Sequence, residues 1–165
     1  MKTKIIFICL FILALSIKGN AKPLINNDSI CGDSIIEFSK KHVGTKYKYA
    51  SINPEKGFDC SGFVYYVFNH FQKKVPRSSI EYKEAGTTIH PDSFKVGDII
   101  VFRGTNANNR NPGHVGIIIS NYGNELTFIH SSSNKKHSGI KVSSFNDSPY
   151  YRKRFIKIVR LMPVY

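Results

Sequence analysis

Acidic residues are scarce in this chain of 165 residues. It has 11 of them against 24 lysines and arginines, which gives a net charge of +13 with histidine neutral. A surface this basic attracts polyanions, and added salt weakens the attraction. The basic pairs are scattered rather than gathered into one tract, a pattern typical of a solvated surface. We therefore expect anionic polymers as partners and no nucleic acid.

Cysteine is also scarce, with three residues, Cys9, Cys31 and Cys60. The chain has no C-x-x-C or H-x-x-x-H spacing of the kind that marks zinc sites. A ligand set of one cysteine and two histidines is the alternative that we set aside, and we expect neither a metal nor a cofactor. In an oxidising compartment Cys31 and Cys60 could pair. We expect Cys31 to be free instead, near the first helix.

Long apolar runs are missing except at the start, where Ile5–Ile17 follows two lysines. This run is too short to span a bilayer, which takes ~20 residues. Small residues at 19 and 21 predict a signal peptide over residues 1–21, with an uncleaved anchor as the alternative. Cleavage removes three lysines and lowers the net charge from +13 to +10. We expect export to the periplasm, the cell wall or the medium, with no transmembrane segment left.

The remainder predicts one domain, residues 33–165, after a polar lead-in at 22–32. Apolar spacing predicts a helix over 33–43 ending at Gly44, a longer one starting after Asp59, and a short one near 79–85. Segments rich in Ile, Val and Phe predict strands at 98–103, 114–120, 125–131 and 155–161. Helices followed by a meander of strands predict an α+β fold, with N-terminal helices packed on one face of an antiparallel sheet. We expect a monomer.

Cys60 lies where this pattern puts the first turn of the second helix, directly after Asp59, a good N-cap residue. Unsatisfied N–H groups and the positive end of the helix dipole favour a thiolate there. The same N–H groups can stabilise the oxyanion that forms when a carbonyl is attacked. Cys60 is therefore a candidate nucleophile, although a cysteine at a helix start can also be a small buried apolar residue.

Two histidines lie on neighbouring predicted strands, His114 at the start of one and His130 near the end of the next. If these strands form a hairpin about 121–123, both histidines lie about equally far from the turn and meet at one end of it. His114 could then take the thiol proton while His130 orients it. The sequence thus predicts a site of Cys60, His114 and His130, with the other four histidines as ordinary surface or capping residues.

Four short motifs occur together and in a fixed order. Asp59-Cys60-Ser61-Gly62 stands at the predicted helix start, Pro76-Arg77-Ser78 follows it, and Gly97-Asp98-Ile99 and His114-Val115-Gly116-Ile117 begin two strands. Together with the closing segment Ser148–Tyr151 and Arg160, these motifs resemble those of the NlpC/P60 family of papain-like cysteine peptidases. The resemblance runs from about residue 33 to residue 161.

The resemblance implies a papain-like fold and cleavage of peptidoglycan stem peptides by a γ-D-glutamyl-L-diamino-acid endopeptidase. It places Cys60, His114 and His130 in the catalytic positions. It also implies substrate-binding roles for Tyr47, Asp59 and Ser61. Two other functions stay open: an amidase or acyltransferase acting on another cell-surface amide or ester, and a non-catalytic module that binds the cell wall.

Overall fold

The computed structural model describes residues 31–106 and 108–161. The predicted signal peptide, residues 1–21, and all but the end of the predicted lead-in lie outside the described residues. Within the described part of the chain, no helix is long and apolar enough to cross a membrane.

Two helices precede most of the sheet, and a third comes just before its last strand. They are α1 (Gly32–Lys40), α2 (Cys60–His70) and α3 (Pro149–Arg154), with 3-10 turns at Ser79–Lys83 and Pro91–Ser93. Helix α2 begins where the sequence predicts. Helix α1 ends at Lys40, earlier than predicted, and a turn carries the chain to Gly44, which has a φ of +90°. The turn forms because the Gly44 amide donates to the carbonyl of Ile140, outside the helix.

The main sheet has six strands in the order β3-β8-β4-β5-β6-β7, and every pair is antiparallel. The strands are β3 (Thr87–Ile89), β4 (Ile99–Arg103), β5 (Pro112–Ile118), β6 (Thr127–Ser132), β7 (Gly139–Ser144) and β8 (Phe155–Arg160). A small second sheet pairs β1 (Ile52–Asn53) with β2 (Gly57–Phe58). The fold is therefore α+β with an antiparallel sheet, as predicted.

The four predicted strands are all present, and the two strands of the main sheet that the sequence missed lie at its edges. Strand β3 has three residues, mostly exposed, and β7 is polar along half its length. Edge strands are buried on fewer sides, so they lack the apolar run that reveals β4 and β5. Helix α3 was missed as well, because its six residues include three cations and none is buried.

The core lies on both faces of the sheet. On one face α2 buries Phe63, Val64, Val67 and Phe68 against strands β5 and β6. The opposite face holds a second, largely aromatic cluster around Phe102 and Phe128, and Tyr151 of α3 packs against it. The two long helices thus cover one face, as predicted, and α3 contacts the other.

Candidate active site

The start of α2 is held by the side chain of Asp59. This residue has an extended backbone at the N-cap position, and its Oδ1 accepts a hydrogen bond of 2.6 Å from the amide of Gly62. Cys60 is therefore the first helical residue, as predicted. A Cβ on Gly62 would lie 2.3 Å from the carbonyl oxygen of Ser51, so only glycine lets the preceding loop approach the helix this closely.

Two interactions tie this segment to the strands that carry the histidines. The backbone amide of Val115, the residue after His114, lowers the pKa of the Cys60 thiol. The hydroxyl of Ser131, the residue after His130, donates to the carbonyl of Phe58 over 2.7 Å. Strands β5 and β6 therefore hold the start of α2 in place.

The Cys60 thiol is the proposed nucleophile, and its surroundings raise its pKa. Desolvation by burial is the largest cause, and the negative charge of Asp59 adds to it, while the amide of Val115 acts the other way. The sequence reasoning expected the helix end to favour the thiolate. In the folded protein burial outweighs that effect, so the resting thiol is protonated.

Asp59 and Ser61 share one cluster with Arg77, which the sequence reasoning had noted only as part of a motif. Arg77 Nη2 lies 2.8 Å from Asp59 Oδ2, and its Nη1 lies 3.1 Å from Oδ1. The same Nη1 donates to the Ser61 hydroxyl over 3.3 Å. Both oxygens of Asp59 are thus occupied, so the carboxylate has a structural role as cap and ion-pair partner. Its predicted contact with substrate remains a prediction.

His114 and His130 are in contact. Strands β5 and β6 pair with Ile117 opposite Ile129, which brings the two imidazoles onto the same face of the hairpin. His114 Nε2 lies 3.0 Å from His130 Nδ1, and the rings are nearly perpendicular at 89°. The hairpin and the meeting of the two rings are as predicted.

His130 is fully buried and has two further partners that the sequence reasoning did not identify. Its Nε2 lies 3.0 Å from the Ser143 hydroxyl on β7 and 3.2 Å from the Tyr151 hydroxyl on α3. No periodicity pointed to Ser143, since β7 was not predicted. Tyr151 stood only in the closing motif.

Both histidines are neutral in the folded protein. Burial, aided by the positive charge of Arg154, lowers the pKa of His114 to about 3. Burial, His114 and Lys141 hold the pKa of His130 well below its ordinary value of 6.5. A buried imidazole without a counter-charge loses its proton, because the charged form is poorly solvated there.

Tyr47 lies at the entrance to this region. The loop that carries it is held to β2, since the Phe58 amide donates to the Lys46 carbonyl over 3.1 Å and the Lys48 amide to the Phe58 carbonyl over 3.0 Å. The Tyr47 side chain and the His114 ring line the same cavity. Burial raises the pKa of the Tyr47 phenol, and the neighbouring Cys60 and Asp59 add to the effect.

Cys31 and Cys60 are both free thiols. Within the described residues, no group of three or more potential ligands among His, Cys, Asp and Glu could hold a metal ion. The arrangement of Cys60, His114 and His130 is suited instead to a nucleophile, a base and a residue that orients the base.

Proteins similar to this chain include several that are named as endopeptidases or hydrolases. The chain is 35% identical over 120 residues to the murein DD-endopeptidase MepS/murein LD-carboxypeptidase of Escherichia coli strain K12, covering 72% of this chain and 57% of that protein. It is 31% identical to a probable endopeptidase of Haemophilus influenzae, with 92% of each chain covered. The gamma-DL-glutamyl hydrolase of Bacillus subtilis strain 168 is 29% identical over 77% of this chain, which spans 29% of that protein's length.

The fold has counterparts among solved structures. A crystal structure of an NlpC/P60 family protein from Bacillus cereus superposes with a TM-score of 0.69 at 24% identity, covering 81% of this chain and 41% of that one. The profile of the NlpC/P60 family matches residues 44–160, which include the capped cysteine, the histidine pair and most of the sheet. The chain belongs to the NlpC/P60 family.

Proposed function

We propose that this protein is an exported cysteine peptidase that hydrolyses peptidoglycan stem peptides, with Cys60 as nucleophile and His114 as base. One observation carries the proposal. Cys60 begins a capped helix, its thiol interacts with the amide that follows His114, and His114 is itself hydrogen-bonded to His130. The names of the relatives from Escherichia coli and Bacillus subtilis support a substrate of this class.

Two sets of tautomers fit the hydrogen bonds around His130, and they differ in whether His114 Nδ1 can act as the base. If the hydroxyls of Ser143 and Tyr151 accept from His130 Nε2–H, then His130 Nδ1 must accept from His114 Nε2–H. His114 Nδ1 is then left with a free lone pair. The reverse set of tautomers would place the proton on His114 Nδ1 and prevent it from acting as a base.

The reaction starts from a neutral thiol and a neutral imidazole. His114 Nδ1 takes the proton of Cys60 as the sulfur attacks the amide carbonyl, so no stable ion pair forms beforehand. Amides at the start of α2 donate to the oxyanion. The protonated imidazole then gives its proton to the leaving amine, the C–N bond breaks, and water releases the acyl group from the sulfur.

We further propose that the bond cleaved joins D-glutamate, through its γ-carboxyl, to the diamino acid. The names of the relatives include gamma-DL-glutamyl, DD- and LD-activities, so the bond that is cleaved varies among similar proteins. The proposal rests on the motif resemblance and on the nearby Tyr47, Asp59 and Ser61.

The first experiment incubates the purified protein and its Cys60→Ala variant with peptidoglycan and identifies the released fragments by mass spectrometry. We expect fragments with a new diamino-acid N-terminus from the intact protein and none from Cys60→Ala. Cys31→Ala is the matched control, since it removes the other described thiol, and we expect it to retain activity.

Hydrolysis by Cys60→Ala would rule out Cys60 as the nucleophile. Fragments cut at another bond would contradict the γ-D-glutamyl specificity and would identify the protein as an amidase or as a peptidase with a different specificity. A folded protein that releases nothing but still binds the wall would favour a binding module. Sequencing the N-terminus of the exported protein tests export itself, and we expect it to begin at Lys22.

A further inference from the structure

A cavity of about 670 Å³ opens beside His114. Tyr47 lines one part of it and Tyr151 another. Three of its lining residues are cations, Lys135, Lys141 and Arg154, and none of the described residues that line it is acidic. Such a cavity attracts an anionic ligand.

Arg154 is held in place before any ligand arrives. Its Nε donates to the carbonyl of Arg103 over 3.0 Å, and Nη2 donates to the same oxygen. The guanidinium also lies 4.5 Å above the ring of Tyr150. A side chain fixed by such contacts loses little conformational entropy on binding, and the planar guanidinium matches a carboxylate.

Of the other two cations, Lys141 is close to the same histidines. Lys141 is the register partner of His130 on the neighbouring strand, so both side chains emerge on the same face. Its charge lowers the pKa of His130, as that of Arg154 lowers the pKa of His114. Arg154 and Lys141 therefore lie near His114 and His130, and not on a remote part of the surface.

The position of the cavity relates it to one side of the scissile bond. A general acid that protonates the leaving amine must lie on the leaving-group side of the nucleophile. His114 lines the cavity, whereas Cys60 is not among the described residues that do so. The cavity thus borders the general acid and not the nucleophile, as expected of a subsite for the leaving group. The carboxylate of Asp59, paired with Arg77, belongs to the Cys60 side.

We propose that this cavity binds the part of the peptide beyond the scissile bond through a free carboxylate on it. Arg154 is the main ligand of the carboxylate, and Lys141 and Lys135 assist. The inference rests on the proposed peptidase function and adds a specificity for the leaving segment of the substrate. A hydrogen bond to a charged group is worth about a tenfold preference or more.

The test uses two synthetic peptides that differ only in the leaving segment, which ends in a free carboxylate or in the carboxamide. We expect the protein to cleave the acid about tenfold better in kcat/KM than the amide. Arg154→Gln should reduce this ratio to below about threefold. The matched control is Lys153→Gln, which removes a neighbouring charge outside the cavity and should keep the ratio. Lys141→Gln is the second variant and should reduce the ratio by a smaller factor.

An unchanged ratio in Arg154→Gln would overturn the proposal, and so would a wild-type protein without preference. Equal losses on both peptides would assign Arg154 a structural role only. Binding of the two peptides to Cys60→Ala separates this proposal from the proposed function. If the acid binds more tightly and Arg154→Gln abolishes the difference, the cavity assignment stands even where no peptide is cleaved. If only binding to an anionic polymer depends on Arg154, the ligand is that polymer and the proposal is wrong.

Discussion

His130 shows at the scale of one residue how burial directs a proton. The ring has no exposed surface, and three side chains contact its two nitrogens, namely His114, Ser143 and Tyr151. A buried ring nitrogen that carries a proton needs an acceptor, since an unpaired N–H in the interior costs about 1–3 kcal/mol. The two hydroxyls can meet that need at Nε2, and in the tautomer in which they do so His114 Nδ1 is left free.

Removing both hydroxyls, in the double variant Ser143→Ala with Tyr151→Phe, leaves His130 Nε2–H without an acceptor among its present partners. The population of the opposite tautomer then rises, and we expect kcat to fall roughly tenfold to a hundredfold with little change in KM. Steady-state kinetics on a stem peptide measures kcat and KM separately. Tyr122→Phe, at an exposed tyrosine, is the control and should leave kcat unchanged. An unaltered kcat in the double variant would contradict the proposed proton path.

The histidine pair also predicts how stability depends on pH. The pKa of His114 is about 3 in the folded protein and 6.5 as an ordinary histidine, and that of His130 is lowered too. Below pH 6.5 the unfolded chain binds protons that the folded chain excludes. The stabilisation by the neutral rings is therefore complete above that pH and is lost as the pH falls towards the folded pKa.

From about pH 7 to about pH 5 we expect His114 to contribute a loss of about 1–2 kcal/mol in the free energy of unfolding. Urea denaturation across this range measures it. His114→Asn should show a smaller decline with pH than the wild-type protein, and the exposed His137→Asn serves as the matched control. A decline that is the same in His114→Asn would show that other groups cause it.

At the scale of the element, α2 depends on an ion pair from a segment that comes after it. Arg77 binds both oxygens of the cap residue Asp59, with closest distances of 2.8 Å and 3.1 Å, and the Asp59 side chain is 11% exposed. Removing one partner of a pair leaves the other charge poorly compensated. The negative charge of Asp59 raises the pKa of the adjacent Cys60, so Arg77 offsets part of that effect.

Arg77→Gln should therefore lower the free energy of unfolding by about 1–2 kcal/mol and raise the pKa of Cys60 further. The rate of alkylation by iodoacetamide, measured as a function of pH, reports the pKa of Cys60. The measurement is made in a Cys31→Ala background, which leaves Cys60 as the one described thiol. Arg77→Lys keeps the charge without the paired contact, so its alkylation profile should lie between those of the wild-type protein and Arg77→Gln. An alkylation profile that does not move in Arg77→Gln would contradict the coupling of Arg77 to Cys60.

At the scale of the whole molecule, two features stand out: a strong positive charge, and an ion pair that joins β8 to the residue before β4. Asp98, fully buried at the start of β4, accepts from Arg160 Nε over 2.7 Å and from its Nη2 over 2.8 Å. The pair joins two residues 62 positions apart in the chain. It thereby holds the end of β8 beside the start of β4.

The net charge of +13 predicts attraction to the anionic polymers of a cell wall by long-range electrostatics. We expect the fraction of Cys60→Ala that sediments with purified walls to fall several-fold as NaCl rises from about 0.05 to about 0.5 M, because the Debye length shrinks. The inactive variant is used so that the wall is not digested. Sedimentation that is independent of salt would show that the basic surface is not the cause.

The start of α2 and the meeting of His114 with His130 could be predicted from the sequence. The cap, the apolar spacing of α2 and the alternation along β5 and β6 are local, with partners a few residues apart or across one tight turn. The same holds for the motifs around Cys60 and His114, which also identify the family.

Other features depended on the tertiary structure. Ser143 and Tyr151 reach His130 from β7 and α3, two elements that the sequence did not predict, and Arg77 reaches Asp59 from a loop 18 residues away. Arg154 joins the cavity only because α3 lies next to β4. The raised pKa of Cys60 was not predicted, since the helix end is visible in the sequence and the desolvation that outweighs it is not. Burial sums the contributions of many distant segments, so it exists only once the sheet and helices have packed.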